Sequence, residues 1–494
     1  MSLLPSRKYI CSTLIVPVVV LFCAGQSNAQ INSSLKESVL IKHARVIDGL
    51  GSASKADQDV RVIDGIIVEI GAGLSNDESL STLDASGLTL LPGLIDCHTH
   101  LRTVPGAVIR GDNAETLKTQ QEFQLRAYVA AGVTSVLDAA MPKAGFTEFG
   151  KVAERSPTPK IFALAPFVTP PGGYFGRPDI RGGVYKDIWR PVDSIETLST
   201  HLAAAAPLNP VGVKVTVESG FGPFDVWPLF EDSMMSEISK RAAQASLPIY
   251  VHSMSEEEYR HALKLSPHAF VHVGFGEEEP SDELIAAVRD SKAYVITTLG
   301  PYGMMQLMWQ TERLSSPWIK RLVPARQLET AADADARRTV VEEMAVLNNP
   351  SWSPEFVARW LSGWFFDEEV VEEQLASSMR AVKKMHDAGI PIVMGSDSGN
   401  WPLFTTFFHG VGAILEMELL ETAGIPNETI IVAATSRAAA MLGQDERLGS
   451  VSVGKAADFI LLEGDPLQDM SSLKQLSWVI KDGVAKRPDE WLRD

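Results

Sequence analysis

The sequence predicts an α/β protein: a closed (β/α)8 TIM barrel with a small flanking β-sandwich built from both chain ends. Three observations carry this. Eight short apolar runs alternate with helical stretches through the middle of the chain, the pattern of parallel βαβ units. β-like segments crowd the two ends, and neither set could bury a core alone. Residues able to do chemistry stand at the ends of many central runs, where barrel enzymes build their sites.

The first residues read as an export signal. Arg7 and Lys8 precede an apolar stretch at 14–22, and Ser27-Asn28-Ala29 offers a small-residue cleavage site. That stretch is too short to span a bilayer comfortably. Residues 1–29 are therefore expected to be removed, leaving a periplasmic or secreted protein without membrane attachment. Lipid attachment at Cys23 is the competing reading, and bulky Phe22 before it argues against it. Of the three cysteines, only Cys97 lies beyond this segment, so no intrachain disulfide is expected and Cys97 reads as a small core hydrophobe.

Residues 30–91 are assigned to the N-terminal part of the sandwich. Val60-Arg61-Val62 and Ile66-Ile67-Val68 flank Asp64-Gly65, a hairpin signal because glycine accepts positive φ. Residues 444–494 supply the rest through Phe459-Ile460-Leu461-Leu462 and Trp478-Val479-Ile480. Between them, 92–443 form the barrel, with strands expected at 94–98, 133–138, 161–168, 211–217, 249–252, 270–273, 294–299 and 392–397. A doubly wound open sheet competes, but it does not by itself call for polar residues at so many strand ends.

An insertion at about 300–373 is far longer than an ordinary βα loop and carries Trp309, Trp318, Trp352, Trp360, Trp364, Phe365 and Phe366. It reads as a helical lid over the barrel mouth, although the aromatic surface suits self-association into a homo-oligomer equally well.

The 494 residues are 45% hydrophobic and 21% charged, a globular composition. A formal net charge of −18 argues against nucleic acid as a partner, because binding it rests on clustered Lys and Arg. A small-molecule substrate is expected instead. The acidic runs at 256–258 and 277–279 read as solvated helix starts.

The chemistry begins in Leu90-Leu91-Pro92-Gly93-Leu94-Ile95-Asp96-Cys97-His98-Thr99-His100. Residues two apart on a strand share a face, so His98 and His100 project together, as metal ligands or as a solvated pair. Later strand ends add Lys214, His252, His272 and Asp397, and His and carboxylate suit Zn and similar divalent ions. Lys214 lies between valines; burial would favour its free amine, which can add carbon dioxide to become an anionic carbamate. A structural ion pair at Lys214 and a core role for His272 are the plainer readings. His409 either lines the mouth or packs, and His43, His201, His261, His268 and His386 read as structural or surface residues.

The ordered set resembles the amidohydrolase superfamily, in its binuclear branch with a carboxylated lysine. Pro92-Gly93-Leu94-Ile95-Asp96 before the HxH, Gly395-Ser396-Asp397-Ser398 and the tail 448–459 belong to that likeness. It implies that His98, His100 and Asp397 hold one metal, His252 and His272 the other, and carboxylated Lys214 bridges both. It also implies that Asp397 serves as general base and then acid towards a water activated between the two cations, and the histidine-rich ligation favours zinc.

The mononuclear deaminase branch would carry glutamate three residues after the strand-five histidine, where this chain has Ser255. Pro170-Pro171-Gly172-Gly173 and the stretch 409–419 resemble the imidazolonepropionase-related group that includes prolidase-like dipeptidases. That likeness implies hydrolysis of a dipeptide or N-acyl amino acid. Tyr174, Arg177 and Arg102 are the candidates to hold a substrate carboxylate, with His409 at the mouth. An esterase, lactonase or carbamate hydrolase would use the same metals, and a binding protein on a retained barrel is the remaining class.

Overall fold

A computed structural model describes residues 36–493 apart from 77, 157, 175–188, 221–226, 277–278, 348 and 350–352. The export signal, Arg177 and Trp352 lie outside the described residues.

Eight parallel strands form the centre: Leu94–Thr99, Val133–Asp138, Lys160–Thr169, Gly212–Thr216, Ile249–His252, Ala269–Val271, Tyr294–Ile296 and Ile392–Val393. They are the eight runs read from the sequence: the second and fifth have the expected bounds, the first and third run slightly longer, and the other four are shorter. Their near-continuous apolar character follows from burial on both faces, by side chains inside the barrel and helices outside. A ninth strand, Trp189–Pro191, adds to the edge of the third; three residues ending in proline give no periodic signal.

The barrel closes where the eighth strand meets the first. Cys97 N donates to Met394 O (3.1 Å), Asp397 N to His98 O (2.8 Å) and His100 N to Ser398 O (2.9 Å). Glycine at 395 permits this approach, since a Cβ there would lie 2.5 Å from Ile296 Cγ2 and 2.9 Å from His98 Cβ. Cys97 is buried in an apolar cluster with Ile95, Tyr250 and Met441, as a core hydrophobe.

Both chain ends pair in a separate mixed sheet of eight strands. Lys55–Ile63 and Ile66–Gly71 form the expected hairpin, with φ of 49° at Asp64 and 73° at Gly65. Phe459–Leu462 pairs antiparallel with Thr89–Pro92, so the C-terminal strands complete the N-terminal ones.

A buried charge cluster joins this sheet to the barrel. Lys160 Nζ lies 2.6 Å from both Asp458 Oδ2 and Asp482 Oδ1, and Lys481 also contacts Asp482. Burial opposes ionisation of Asp482, but Lys481 and Lys160 outweigh it and hold the carboxyl at about 2.

The insertion is helical, running through Gly300–Gln306, Pro317–Leu322, Ala325–Ala332, Ala334–Leu347 and Glu355–Phe365 before Glu368–Asp387 returns to the eighth strand. Gln327 Nε2 donates to Gln120 Oε1 (2.9 Å), and Arg326 pairs with Asp112, docking the insertion on the segment that follows the first strand. Phe356 and Trp360, one helical turn apart, are 72% and 81% exposed. Among the described residues no helix is long and apolar enough to cross a membrane.

Removing Lys160 from the buried cluster leaves Asp458 and Asp482 to share Lys481. Lys160→Met is expected to cost about 3–5 kcal/mol, read as a lower midpoint in denaturant unfolding. Because Asp482 ionises more readily folded than unfolded, its contribution is present above the ordinary carboxylate range and is lost as pH falls towards about 2.

Candidate metal centre

The strand ends converge at one mouth of the barrel. His98 and His100 leave the first strand on one face, with ring centroids 5.3 Å apart. Asp397, just past the eighth strand, is brought to them by the closing seam. Its Oδ1 lies 3.0 Å from His100 Nε2 and 3.4 Å from His98 Nε2, and its Oδ2 accepts from Asn400 Nδ2 at 2.6 Å. Lys214 Nζ sits 3.2 Å from His98 Nε2 and 5.1 Å over the Phe167 ring. His272 stands 5.0 Å from His98 and 4.5 Å from His252 between ring centroids. All six strand-end residues singled out by the sequence are thus gathered, and all are buried.

Backbone strain accompanies this placement. His272 has φ of 76°, Thr298 45° and Asp397 53°, left-handed values that non-glycine residues rarely adopt. Asp96 secures the seam below, accepting from Ser396 N (2.9 Å) and Ser396 Oγ (2.5 Å).

Burial sets the charge states. It pushes His98 down to about 3, with the Lys214 charge adding to the effect. His252 and His272 are held well below the ordinary imidazole range, first by burial. These rings are neutral at pH 7 and keep a lone pair. Burial opposes ionisation of Asp397, yet hydrogen bonds from His100 and His98 hold it well below the usual carboxylate range. Lys214 is pushed down to about 8 by burial, partly offset by Asp397, Asp138 and Glu218.

Neutral imidazoles beside a carboxylate are a donor set for a divalent cation. One donor atom each from His98, His272 and Asp397 falls within 4.8 Å of the others. His98 Nδ1 and His252 Nδ1 are buried without a hydrogen-bond partner, a costly state for a ring nitrogen unless something takes up its lone pair. The residues fit a metal.

Other sequence candidates fall into place unevenly. Tyr174 is buried with its ring 4.2 Å from His252 and edge-on to Trp227 at 5.5 Å, beside the cluster. The Arg102 side chain runs past Gly145, with its Nε buried and unpartnered. His409 is committed on both ring nitrogens: Nε2 donates to Thr103 O (2.8 Å), so Nδ1 accepts from Tyr128 Oη (3.0 Å). His201, His261 and His268 each donate to a backbone carbonyl, in keeping with structural roles.

Two carboxylates behave differently from the sequence reading. Glu258 does not simply cap a solvated helix start; it is buried, and its oxygens accept from Met254 N, Ser255 N, Ser219 N and Ser219 Oγ at 2.8–3.0 Å. Glu218, which sequence reasoning missed, reaches into the cluster and contacts His252. Its signal was available, because Lys214 and Glu218 are four apart and so share a face of an extended strand.

A model described as the amidohydrolase family matches residues 89–485. The dihydroorotase of Citrifermentans bemidjiense is 42% identical over 105 residues, 21% of this chain and 22% of that protein. That of Bacillus pumilus is 38% identical over 105 residues, 21% of each. The match spans about a fifth of the length of these curated relatives. Among solved structures, a Xaa-Pro dipeptidase with methionine bound in its active site superposes with a TM-score of 0.68 at 20% identity, over 91% of this chain and 99% of that one. Molinate hydrolase gives 0.65 at 17% identity over 92% and 95%, and A. niger ochratoxinase 0.63 at 17% over 91% and 95%.

Removing a donor should empty the site. Loss of a residue that merely supports a ligand costs about 10–100-fold in metal affinity, so His272→Ala is expected to cost more than about 100-fold. Elemental analysis after dialysis checks it.

Proposed function

The chain belongs to the amidohydrolase family of hydrolases, and on that premise we propose that it cleaves the C–N amide bond of a dipeptide or an N-acyl amino acid. The observation that carries this reading is Asp397, a buried ionised carboxylate set against His98 and His100 at the barrel mouth.

In this reading His98, His100 and Asp397 would hold one divalent cation and His252 and His272 a second, with a carbamate on Lys214 as a further ligand. Two zinc ions there would supply Lewis-acid activation of water and of the scissile carbonyl. The rest falls to the protein. Asp397 takes a proton from the water as its oxygen bonds to the carbonyl carbon, then passes that proton to the nitrogen as the C–N bond breaks. The products are a carboxylic acid and an amine. Asn400, donating to Asp397 Oδ2, orients the carboxylate for this transfer.

Three features support this reading. Lys214, with its amine pushed down to about 8 by burial, has a larger free-amine fraction for reaction with carbon dioxide than an ordinary lysine. Ser255 caps the helix Glu256–Ala262 and Glu258 is fully engaged with backbone N–H groups, so neither supplies a deaminase's free carboxylate. The likeness to a Xaa-Pro dipeptidase over nearly the whole chain agrees with a dipeptide, and the packed rings of Phe167, Tyr174 and Trp227 put apolar side chains beside His252.

General acid–base catalysis contributes about 10²–10⁴-fold, so Asp397→Asn is expected to lower kcat by that factor. The measurement is amino-acid release from a library of dipeptides and N-acyl amino acids by zinc-loaded protein starting near Gln30. Release from none of them, with two metals bound, would overturn the amide reading in favour of esters, lactones or carbamates. A native mass increase matching one carbon dioxide, lost in Lys214→Ala, checks the carbamate.

A further inference from the structure

Beyond the strand Gly212–Thr216 the chain runs through Val217 to Glu218, which is 1% exposed. Val217 N donates to His252 O (2.8 Å), locking the ends of the fourth and fifth strands side by side. Glu258 then braces both chains just beyond. One oxygen accepts from Ser219 N (2.8 Å) and Oγ (3.0 Å), and the other from Met254 N (2.8 Å) and Ser255 N (3.0 Å). The backbone beside Glu218 and the backbone beside His252 are therefore held by one side chain. Between them, the Glu218 carboxylate meets His252 Nε2.

An imidazole nitrogen that meets a carboxylate donates its N–H to it, and the other nitrogen then carries the lone pair. Here Nε2 donates to Glu218, so the lone pair lies on Nδ1. That Nδ1 is buried and has no hydrogen-bond partner. The neighbouring His272 uses its own Nδ1 towards Thr298 Oγ1 (2.9 Å), which leaves its Nε2 as the remaining donor.

We propose that Glu218 is a positioning residue for the metal centre, holding His252 in the tautomer and ring orientation that present Nδ1 to a divalent cation. The proposal rests on the metal-dependent reading above. Carboxylate partners of metal-bound histidines fix the ring and raise its basicity, and their loss costs about 10–100-fold in affinity. Burial limits the alternatives: the rings of Tyr174 and His272 pack against His252 and leave little room for another orientation.

The test compares wild type with Glu218→Gln and Glu218→Leu, measuring dissociation constants for Zn2+ by competition with a chromophoric chelator and the visible spectrum of the Co2+-loaded proteins. Gln keeps an acceptor oxygen without the charge and should weaken one of the two cations by roughly 10-fold; Leu removes the acceptor and should weaken it by roughly 100-fold. The Co2+ spectrum should change in Glu218→Leu, which a purely structural role would not cause. Thermal unfolding of the metal-free proteins monitors the fold, and if Glu218→Leu does not fold, Glu218→Gln decides. Wild-type affinity and spectrum in the folded variants overturn the role of Glu218 alone. Failure of the wild type itself to take up either ion overturns the metal reading and this inference with it.

Discussion

The seam that closes the barrel is the interaction on which the site depends. Three backbone hydrogen bonds join the first strand to residues 394–398, and two of them involve the peptide units of His98 and His100. The same contacts that remove the last free edge of the sheet bring Asp397 to the histidines, although almost 300 residues separate them. Closure and site assembly are one event. Asp96 makes this plainer: its carboxylate takes two hydrogen bonds from Ser396 across the seam, directly beneath the donors.

Burial then does the electrostatic work. A hydrophobic environment is usually hostile to charge, but here it keeps His98, His252 and His272 neutral and so available as donors. It lowers Lys214 for the same reason. The exception is Asp397, where hydrogen bonds overcome burial and preserve an anion. Left-handed backbone at His272 and Asp397 adds a cost in strain that the surrounding barrel absorbs.

Much of this was legible in the sequence, for physical reasons. Period-two geometry made His98 and His100 neighbours, and strand ends pointed to Lys214, His252, His272 and Asp397 because parallel barrels leave their C-terminal strand ends at one face. Asp64-Gly65 marked a turn that demands positive φ. What escaped was pairing at a distance. The Tyr128–His409–Thr103 chain and the Lys160–Asp458–Asp482–Lys481 cluster join residues from opposite parts of the sequence, and no local pattern announces them. Glu258 was misread because an acidic run at a helix start ordinarily faces water, whereas here three backbone N–H groups draw it inward.

The pairing of Phe459–Leu462 with Thr89–Pro92 has a bearing on biosynthesis. During translation the N-terminal strands emerge long before their partners, and the whole barrel is made in the interval. Until the C-terminal segment leaves the ribosome, Thr89–Pro92 presents an open β edge, the kind of surface that recruits other chains. Nascent protein is therefore most exposed to aggregation in its final stage of synthesis, and premature termination near the C-terminus would leave a formed barrel carrying an uncapped, adhesive sheet.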